Sequence, residues 1–199
     1  MKLVKVIGGL LVALMLFSCA PKLAQKDLDA ANAVFTDAQN AKADVYAPDE
    51  FKAAQDAKAA LDAELAAQNA KTSGKSYKQA NDMIKAFADA SKKAKDAAAA
   101  NMDKAKGEVA QLITDIDAQY AKVQAEAQAA SKDAKKAAKA KLNLKDINAK
   151  VEAAGKSISD AKAANDSQDY AGARDKLNTV KATLDELKAS LEAAGFVAQ

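Results

Sequence analysis

The feature that most constrains the fold is the recurrence of apolar residues every three or four positions along almost the whole chain. The pattern runs from Leu23 to Leu191, and alanine, which makes up 53 of the 199 residues, supplies most of it. Such spacing places side chains on one face of an α-helix, and alanine is the strongest helix former. No segment shows the alternating β-branched pattern of a strand. The sequence therefore predicts an all-α protein of long amphipathic helices.

A few residues interrupt this pattern and predict where helices begin and end. Pro21 is expected to open the first helix and Pro48 the second, because proline suits the first helical position. Ser76 with Gln79 is typical of a capping box, and Asn143 of an N-cap. Gly195 suits the C′ position after the last helix. The predicted helices cover residues 22–45, 48–71 and 76–104 in a first bundle and 107–142, 145–165 and 168–194 in a second.

The third and fourth predicted helices have no strong breaker between them. We expect helix from Ser76 to about Leu142, either continuous or kinked between Asn101 and Gly107. Gly107 costs about 1 kcal/mol relative to alanine and does not end a helix alone. The predicted architecture is an elongated pair of tandem three-helix bundles, each containing a helical hairpin, joined by a long shared helix.

A short motif occurs twice, 93 residues apart. Tyr77, Ala80, Asp82, Ile84 and Phe87 have the same spacing as a second set, which is Tyr170, Ala173, Asp175, Leu177 and Val180. Each set follows a helix and a polar turn. The spacing indicates two similar units, although alanine-rich helices also match one another by chance.

The N-terminus has a different composition. Lys2 and Lys5 precede an uncharged apolar segment, Val6 to Leu16, which is too short to span a bilayer. Leu16-Phe17-Ser18-Cys19 then contains the only cysteine of the chain. The pattern resembles the lipobox of bacterial lipoproteins. The alternative is an ordinary signal peptide, or an uncleaved anchor, with a coincidental cysteine.

The lipobox resemblance implies a defined maturation at Cys19. Residues 1–18 would be a signal peptide cleaved between Ser18 and Cys19, and residues 19–21 a lipidated N-terminus. The Cys19 thiol would carry diacylglycerol and the new amine an acyl chain. Ala20 follows in place of aspartate. By resemblance to Gram-negative sorting rules, this implies anchorage in the outer membrane, facing the periplasm. The remaining predicted domains are residues 22–104 and 105–199.

Charge argues against a nucleic-acid partner. The chain carries 30 Lys and Arg against 27 Asp and Glu, and removal of Lys2 and Lys5 with the signal leaves a formal charge of +1. Such a balance gives no electrostatic reason to bind a polyanion along the whole chain.

Part of the chain resembles a known family. Ala47-Pro48-Asp49-Glu50, followed by Ala53, Ala57 and Leu61, and then Gly74-Lys75-Ser76-Tyr77 with Ala80, carry the resemblance. They resemble alanine-rich bacterial lipoproteins of a domain-of-unknown-function family (domain of unknown function 4398), over about residues 25–100. The family implies an envelope lipoprotein with helical hairpins related to tetratricopeptide units. It implies no catalytic activity.

Few residues qualify as candidate sites. Lys132, Lys136 and Lys139 belong to the densest basic run and would share one face of a helix. This face is a candidate contact for an anionic envelope polymer or lipid headgroup, and the alternative is a solvated charged surface. Tyr77 and Tyr170 are candidates for a ligand platform or, alternatively, for packing that closes each hairpin. Most carboxylates have a lysine three or four residues away, as surface helix pairs do.

The sequence contains no histidine and no glycine-rich phosphate loop, since Gly8-Gly9 belongs to the apolar N-terminal segment. We therefore predict no catalytic, cofactor-binding or metal site. The expected function is that of a non-enzymatic, lipid-anchored spacer or protein-interaction adaptor of the cell envelope. Its partner would be an envelope protein or peptidoglycan, bound non-covalently. The alternative is a periplasmic protein that binds a small ligand or lipid between its hairpins.

Overall fold

The computed structural model describes residues 21–197, so the predicted signal peptide and Cys19 lie outside the described residues. The described residues form helices and connecting turns without a strand, which confirms the predicted all-α class. They divide into two units, one ending at Ala98 and the other beginning at Ala99. The helices are α1 (Gln25–Asn40), α2 (Ala43–Tyr46), α3 (Pro48–Ala70), α4 (Lys78–Lys132), α5 (Ala134–Lys139), α6 (Leu144–Asp166) and α7 (Tyr170–Ala193).

Unit 1 consists of α1, α2, α3 and the first part of α4. Three aromatic rings connect its helices. The ring of Phe35 on α1 stacks on that of Phe51 on α3, with centroids 5.4 Å apart, and lies 5.5 Å from that of Phe87 on α4. Around them lie Ala31, Leu61, Ala80 and Ile84, all fully buried. The rings fill the space that alanine leaves between helices, so they are the main apolar contacts of the unit.

The predicted first helix is interrupted. α1 ends at Asn40, and Lys42 adopts a left-handed conformation with φ of 54° before the short helix α2. The break changes which side chains face the core. The three-to-four spacing of apolar residues places Val45 on the buried face of the first predicted helix, but Val45 is 50% exposed, whereas Tyr46 and Ala47 are buried. The expectation for Val45 was therefore wrong, because a left-handed residue redirects the chain that follows it.

Unit 2 consists of the rest of α4 with α5, α6 and α7. Its core is mainly branched aliphatic. The buried apolar residues larger than alanine are Val109, Ile116, Val123, Ile147, Val151, Ile158, Tyr170, Leu177, Val180, Leu184, Leu187, Leu191 and Phe196. Gly155 of α6 lies where Tyr120 of α4 approaches. A Cβ at this glycine would be only 2.5 Å from the Tyr120 Oη.

The long helix α4 has no break between Asn101 and Gly107, where a kink was one of two expectations. It ends earlier than the predicted end near Leu142. α4 runs through Asn101 and Gly107 and stops at Lys132. There Asp133 accepts a hydrogen bond from the Lys136 backbone N–H and caps a new helix, α5. An aspartate that bonds to the backbone three residues ahead competes with the continuing helix. Helix to Leu142 was therefore a wrong expectation.

The predicted helix ends have mixed outcomes. Pro48 begins α3, the Asn143 side chain accepts from the Asp146 N–H, and Gly195 follows α7 with φ of +79°, as expected. Two starts were wrong. α1 begins at Gln25 and not near Pro21, and α4 begins at Lys78 without a capping box. The Ser76 backbone N–H instead donates to the Gln68 Oε1.

Candidate functional site

The structure separates the three lysines of the predicted basic face. Lys132 ends α4, whereas Lys136 and Lys139 lie on α5 beyond the break at Asp133. The expectation that they share one face of a single helix was therefore wrong. All three side chains are exposed. None of the ion pairs of the described residues involves Lys132 or Lys139.

Lys136 has a structural contact inside unit 2. Its Nζ donates to the Gly195 carbonyl at 2.6 Å and lies 4.4 Å from the centre of the Phe196 ring. A cation near the last carbonyls of a helix satisfies an acceptor that the helix leaves open, and the ring face attracts the same charge. Lys136 thus connects the residues after α7 to α5. Its ammonium group, a predicted contact for an anionic partner, already has these two contacts within unit 2.

The two tyrosines of the repeated motif are placed differently. Tyr77 immediately precedes α4 and its hydroxyl donates to the Asn69 Oδ1 of α3 at 2.8 Å. Tyr170 is the first residue of α7 and is buried, with only 7% of its surface exposed. Each tyrosine lies next to the turn that precedes its helix.

A clamp around Asn81 is the most specific polar arrangement near the described N-terminus. The Asn81 Oδ1 accepts from the Ala24 backbone N–H, and its Nδ2 donates to the Lys22 carbonyl, both at 2.9 Å. One turn earlier, the Tyr77 N–H donates to the Pro21 carbonyl at 3.2 Å. We call these three hydrogen bonds the Asn81 clamp. An amide group satisfies a donor and an acceptor of one extended segment, so it fixes both position and direction of that segment.

The turn between α3 and α4 is held beside this clamp. Gln68 is buried, and its Oε1 accepts from the Ser76 N–H at 3.1 Å and from the Lys71 Nζ at 3.0 Å. The Lys75 Nζ donates to the Asn69 carbonyl at 3.3 Å. These bonds close the turn onto the end of α3. The start of the described chain and the α3–α4 turn consequently form one end of unit 1.

This end of unit 1 is rich in lysine, and Asp27, Glu64 and Asp82 directly flank the two segments that form it. Residues 21–26 and 65–81 contain no aspartate or glutamate. Their cationic residues are Lys22, Lys26, Lys71, Lys75 and Lys78. All five are exposed. Sequence analysis missed this group, because its two segments are about 50 residues apart and neither contains a dense basic run. We call these five lysines and their two segments the clamp end.

Two ionisable side chains of the described residues have shifted pKa values. The pKa of Asp185 lies below its ordinary value because Lys181, and then Gln119, donate hydrogen bonds to the carboxylate. A hydrogen bond to Asp96 raises the pKa of Lys92. Both are exposed surface pairs of a common helical kind. Within residues 21–197 no acidic group is arranged to hold a metal ion, and no helix is long and apolar enough to cross a membrane.

Shallow depressions lie on the described surface of each unit. In unit 1 a depression of about 370 Å³ is lined by Gln68, Ser76, Lys78, Gln79 and Asp82. In unit 2 a depression of about 240 Å³ lies between the start of α6 and the last turns of α7. Both depressions have charged side chains in their lining.

Comparisons with protein-family models, with curated proteins and with solved structures find no match to this chain.

Proposed function

We propose that the protein is a lipid-anchored component of the bacterial cell envelope that acts as a non-enzymatic spacer or protein-interaction adaptor. The observation that carries the proposal is Leu16-Phe17-Ser18-Cys19 at the end of a charged and then apolar N-terminal segment. Two or more acyl chains on one residue hold a protein stably in a bilayer, since each buried methylene contributes about 0.8 kcal/mol.

The spacer or adaptor role is supported by the kind of surface that the described residues present. Exposed side chains of the helices alternate in charge and form lysine–carboxylate pairs at a spacing of four, such as Lys52 with Asp56 and Lys181 with Asp185. Buried side chains are almost all apolar. Such helices offer faces for a protein partner or for peptidoglycan. The resemblance to alanine-rich envelope lipoproteins supports the same role, with the outer membrane as the expected location.

Mass spectrometry of the intact protein extracted from its native membrane tests the anchor. We expect a chain that begins at Cys19 and carries the added mass of diacylglycerol and one further acyl chain. A Cys19→Ser variant should keep residues 1–18 or lose membrane attachment. A native chain with an unmodified thiol would refute the proposal.

Photo-crosslinking in living cells tests the adaptor role. A photoreactive residue on exposed positions of either unit should capture one recurrent envelope partner. If the acylated protein captured none from any exposed helix, the adaptor role would fail. Native mass spectrometry provides the opposing test, because a co-purified small molecule would favour the ligand-binding alternative.

A further inference from the structure

We propose that the clamp end of unit 1 lies directly against the bilayer that holds the Cys19 lipid, and that its lysines bind anionic phospholipid headgroups. This inference rests on the proposed lipid anchor and adds to it a second, electrostatic contact with the same membrane. It concerns a surface of the folded unit and not the anchor itself.

The first step is the length of chain between lipid and fold. Only Ala20 separates Cys19 from Pro21, whose carbonyl already accepts from Tyr77 of the folded unit. Two residues span at most about 7 Å even when fully extended. Because the Asn81 clamp holds Lys22 and Ala24 as well, there is no long flexible linker in which the unit could move away from the membrane.

The second step is which surface this short connection brings to the membrane. The clamp joins the start of the described chain to the first turn of α4 and, through Gln68 and Asn69, to the α3–α4 turn. The opposite end of unit 1, where α1 ends, is the full length of a 16-residue helix away, about 24 Å. The α3–α4 turn is therefore the part of unit 1 that lies nearest to the lipid.

The third step is charge. The two segments of the clamp end carry five lysines, which outnumber the three flanking carboxylates, Asp27, Glu64 and Asp82. The side-chain ammonium groups of Lys22, Lys26 and Lys78 make no hydrogen bond or ion pair with other described residues, so they are available. A lysine near an anionic membrane surface is attracted to it, and the attraction decays within a Debye length. A cluster beside an acyl anchor is the second signal that typically stabilises membrane attachment.

A fluorescence experiment on the full acylated chain tests the contact. Since the acylated chain has no other thiol, one cysteine at Ser73 in the turn, or at Gln39 at the opposite end of unit 1, accepts a single fluorophore. The protein is reconstituted into vesicles that contain a lipid with a quencher on its headgroup. We expect several-fold stronger quenching at Ser73→Cys than at Gln39→Cys, provided that phosphatidylglycerol is present.

Charge variants separate this contact from simple proximity. Replacing Lys22, Lys26 and Lys78 with glutamine removes three charges without breaking a hydrogen bond of the unit. We expect the triple variant to lose the phosphatidylglycerol dependence of quenching at Ser73→Cys, as raised salt should do in the parent. The same charge change at Lys132, Lys135 and Lys139 of unit 2 is the matched control and should leave that quenching unchanged.

A clamp variant tests the geometry. Asn81→Ala removes two hydrogen bonds and should lower quenching at Ser73→Cys towards the value at Gln39→Cys, while Asn178→Ala on α7 should not. Circular dichroism reports whether each variant is folded. If Asn81→Ala unfolds, the triple lysine variant still tests the membrane contact.

The outcomes distinguish this inference from the proposed anchor. The intact mass is measured before reconstitution, and an unacylated chain would refute both. An acylated protein with equal quenching at Ser73→Cys and Gln39→Cys would overturn the membrane contact alone. Quenching at Ser73→Cys that does not depend on phosphatidylglycerol would have the same consequence. Crosslinking of Ser73→Cys to a protein in native membranes, in place of lipid, would overturn it as well.

Discussion

Residues 21–98 of unit 1 and residues 99–197 of unit 2 fill their cores with different side chains. Among the described residues, unit 1 buries 13 apolar side chains, of which eight are alanine. Unit 2 buries 20, of which seven are alanine. A buried methyl group contributes about 0.8 kcal/mol and a buried leucine about 1.5–3 kcal/mol. Unit 2 therefore gains stabilisation from many aliphatic side chains, whereas unit 1 depends on a few large ones.

The turns of the repeated motif differ in the same way. In unit 2 the backbone closes the connection between α6 and α7, with Gln168 left-handed and Asp169 capping the next helix through the Gly172 N–H. In unit 1 side-chain amides of Gln68, Asn69 and Asn81 hold the corresponding turn and the start of the described chain. The comparison teaches that one sequence motif supports two different ways of closing a hairpin.

The largest expected effect is the removal of the aromatic centre of unit 1. Phe87→Ala should cost about 4 kcal/mol, because a fully buried ring is lost and little else fills its place. Hydrogen exchange measured by mass spectrometry should show lost protection mainly in residues 21–98. Leu184→Ala in unit 2 is the matched variant, at about 3 kcal/mol and with most loss beyond residue 99. Equal loss in both units from either variant would break the comparison.

Two glycines of unit 2 test how tightly its helices are packed. Gly107→Ala should stabilise the protein by about 1 kcal/mol in chemical denaturation, since a Cβ there meets no atom within 4 Å. Gly155→Ala should gain less or lose stability, because its Cβ would displace Tyr120. Tyr120→Phe removes the nearest atom and should restore part of the gain at position 155. Identical gains from both glycines would contradict the close approach.

A buried hydroxyl tests the core of unit 1. The Ser91 Oγ is fully buried on α4 without a hydrogen-bond partner among the described residues. Ser91→Ala should stabilise the protein by about 1 kcal/mol in thermal or chemical unfolding. Ser190→Ala in unit 2 is the control and should change stability by less than about 0.5 kcal/mol, because that hydroxyl is exposed. Destabilisation by Ser91→Ala would show that the hydroxyl has a function in the core.

The smallest effect concerns a surface pair of unit 2. The pKa of Asp185 should lie below the ordinary aspartate value in an NMR titration, and Gln119→Ala should raise it by removing one of two donors. Because the pKa of Asp185 is lower in the folded than in the unfolded state, this pair stabilises the fold at pH values above the unfolded-state pKa. The stabilisation is lost as the pH falls through the folded-state pKa. Gln124→Ala should leave the titration unchanged. If Gln119→Ala left the Asp185 pKa unchanged, the hydrogen bond from Gln119 to Asp185 would be contradicted.

Prediction from sequence succeeded where the cause is local. Pro48, Asn143 and Gly195 mark helix ends through effects that act within one turn. It failed where two local preferences compete. Nothing in the run around Asp133 distinguishes a surface acid from a cap, and a lysine at position 42 is an unusual residue for a left-handed conformation.

The periodicity of the chain was sufficient to determine the all-α class and most buried faces, because a repeat of three to four residues is compatible with one regular structure. The clamp end required the folded unit. Its lysines come from segments about 50 residues apart, and an amide at position 81 shows no preference for Lys22 and Ala24 until the helices are packed. Hydrogen bonds and charges act over a few ångströms in space, whatever the separation along the chain, so folding alone brought these groups together.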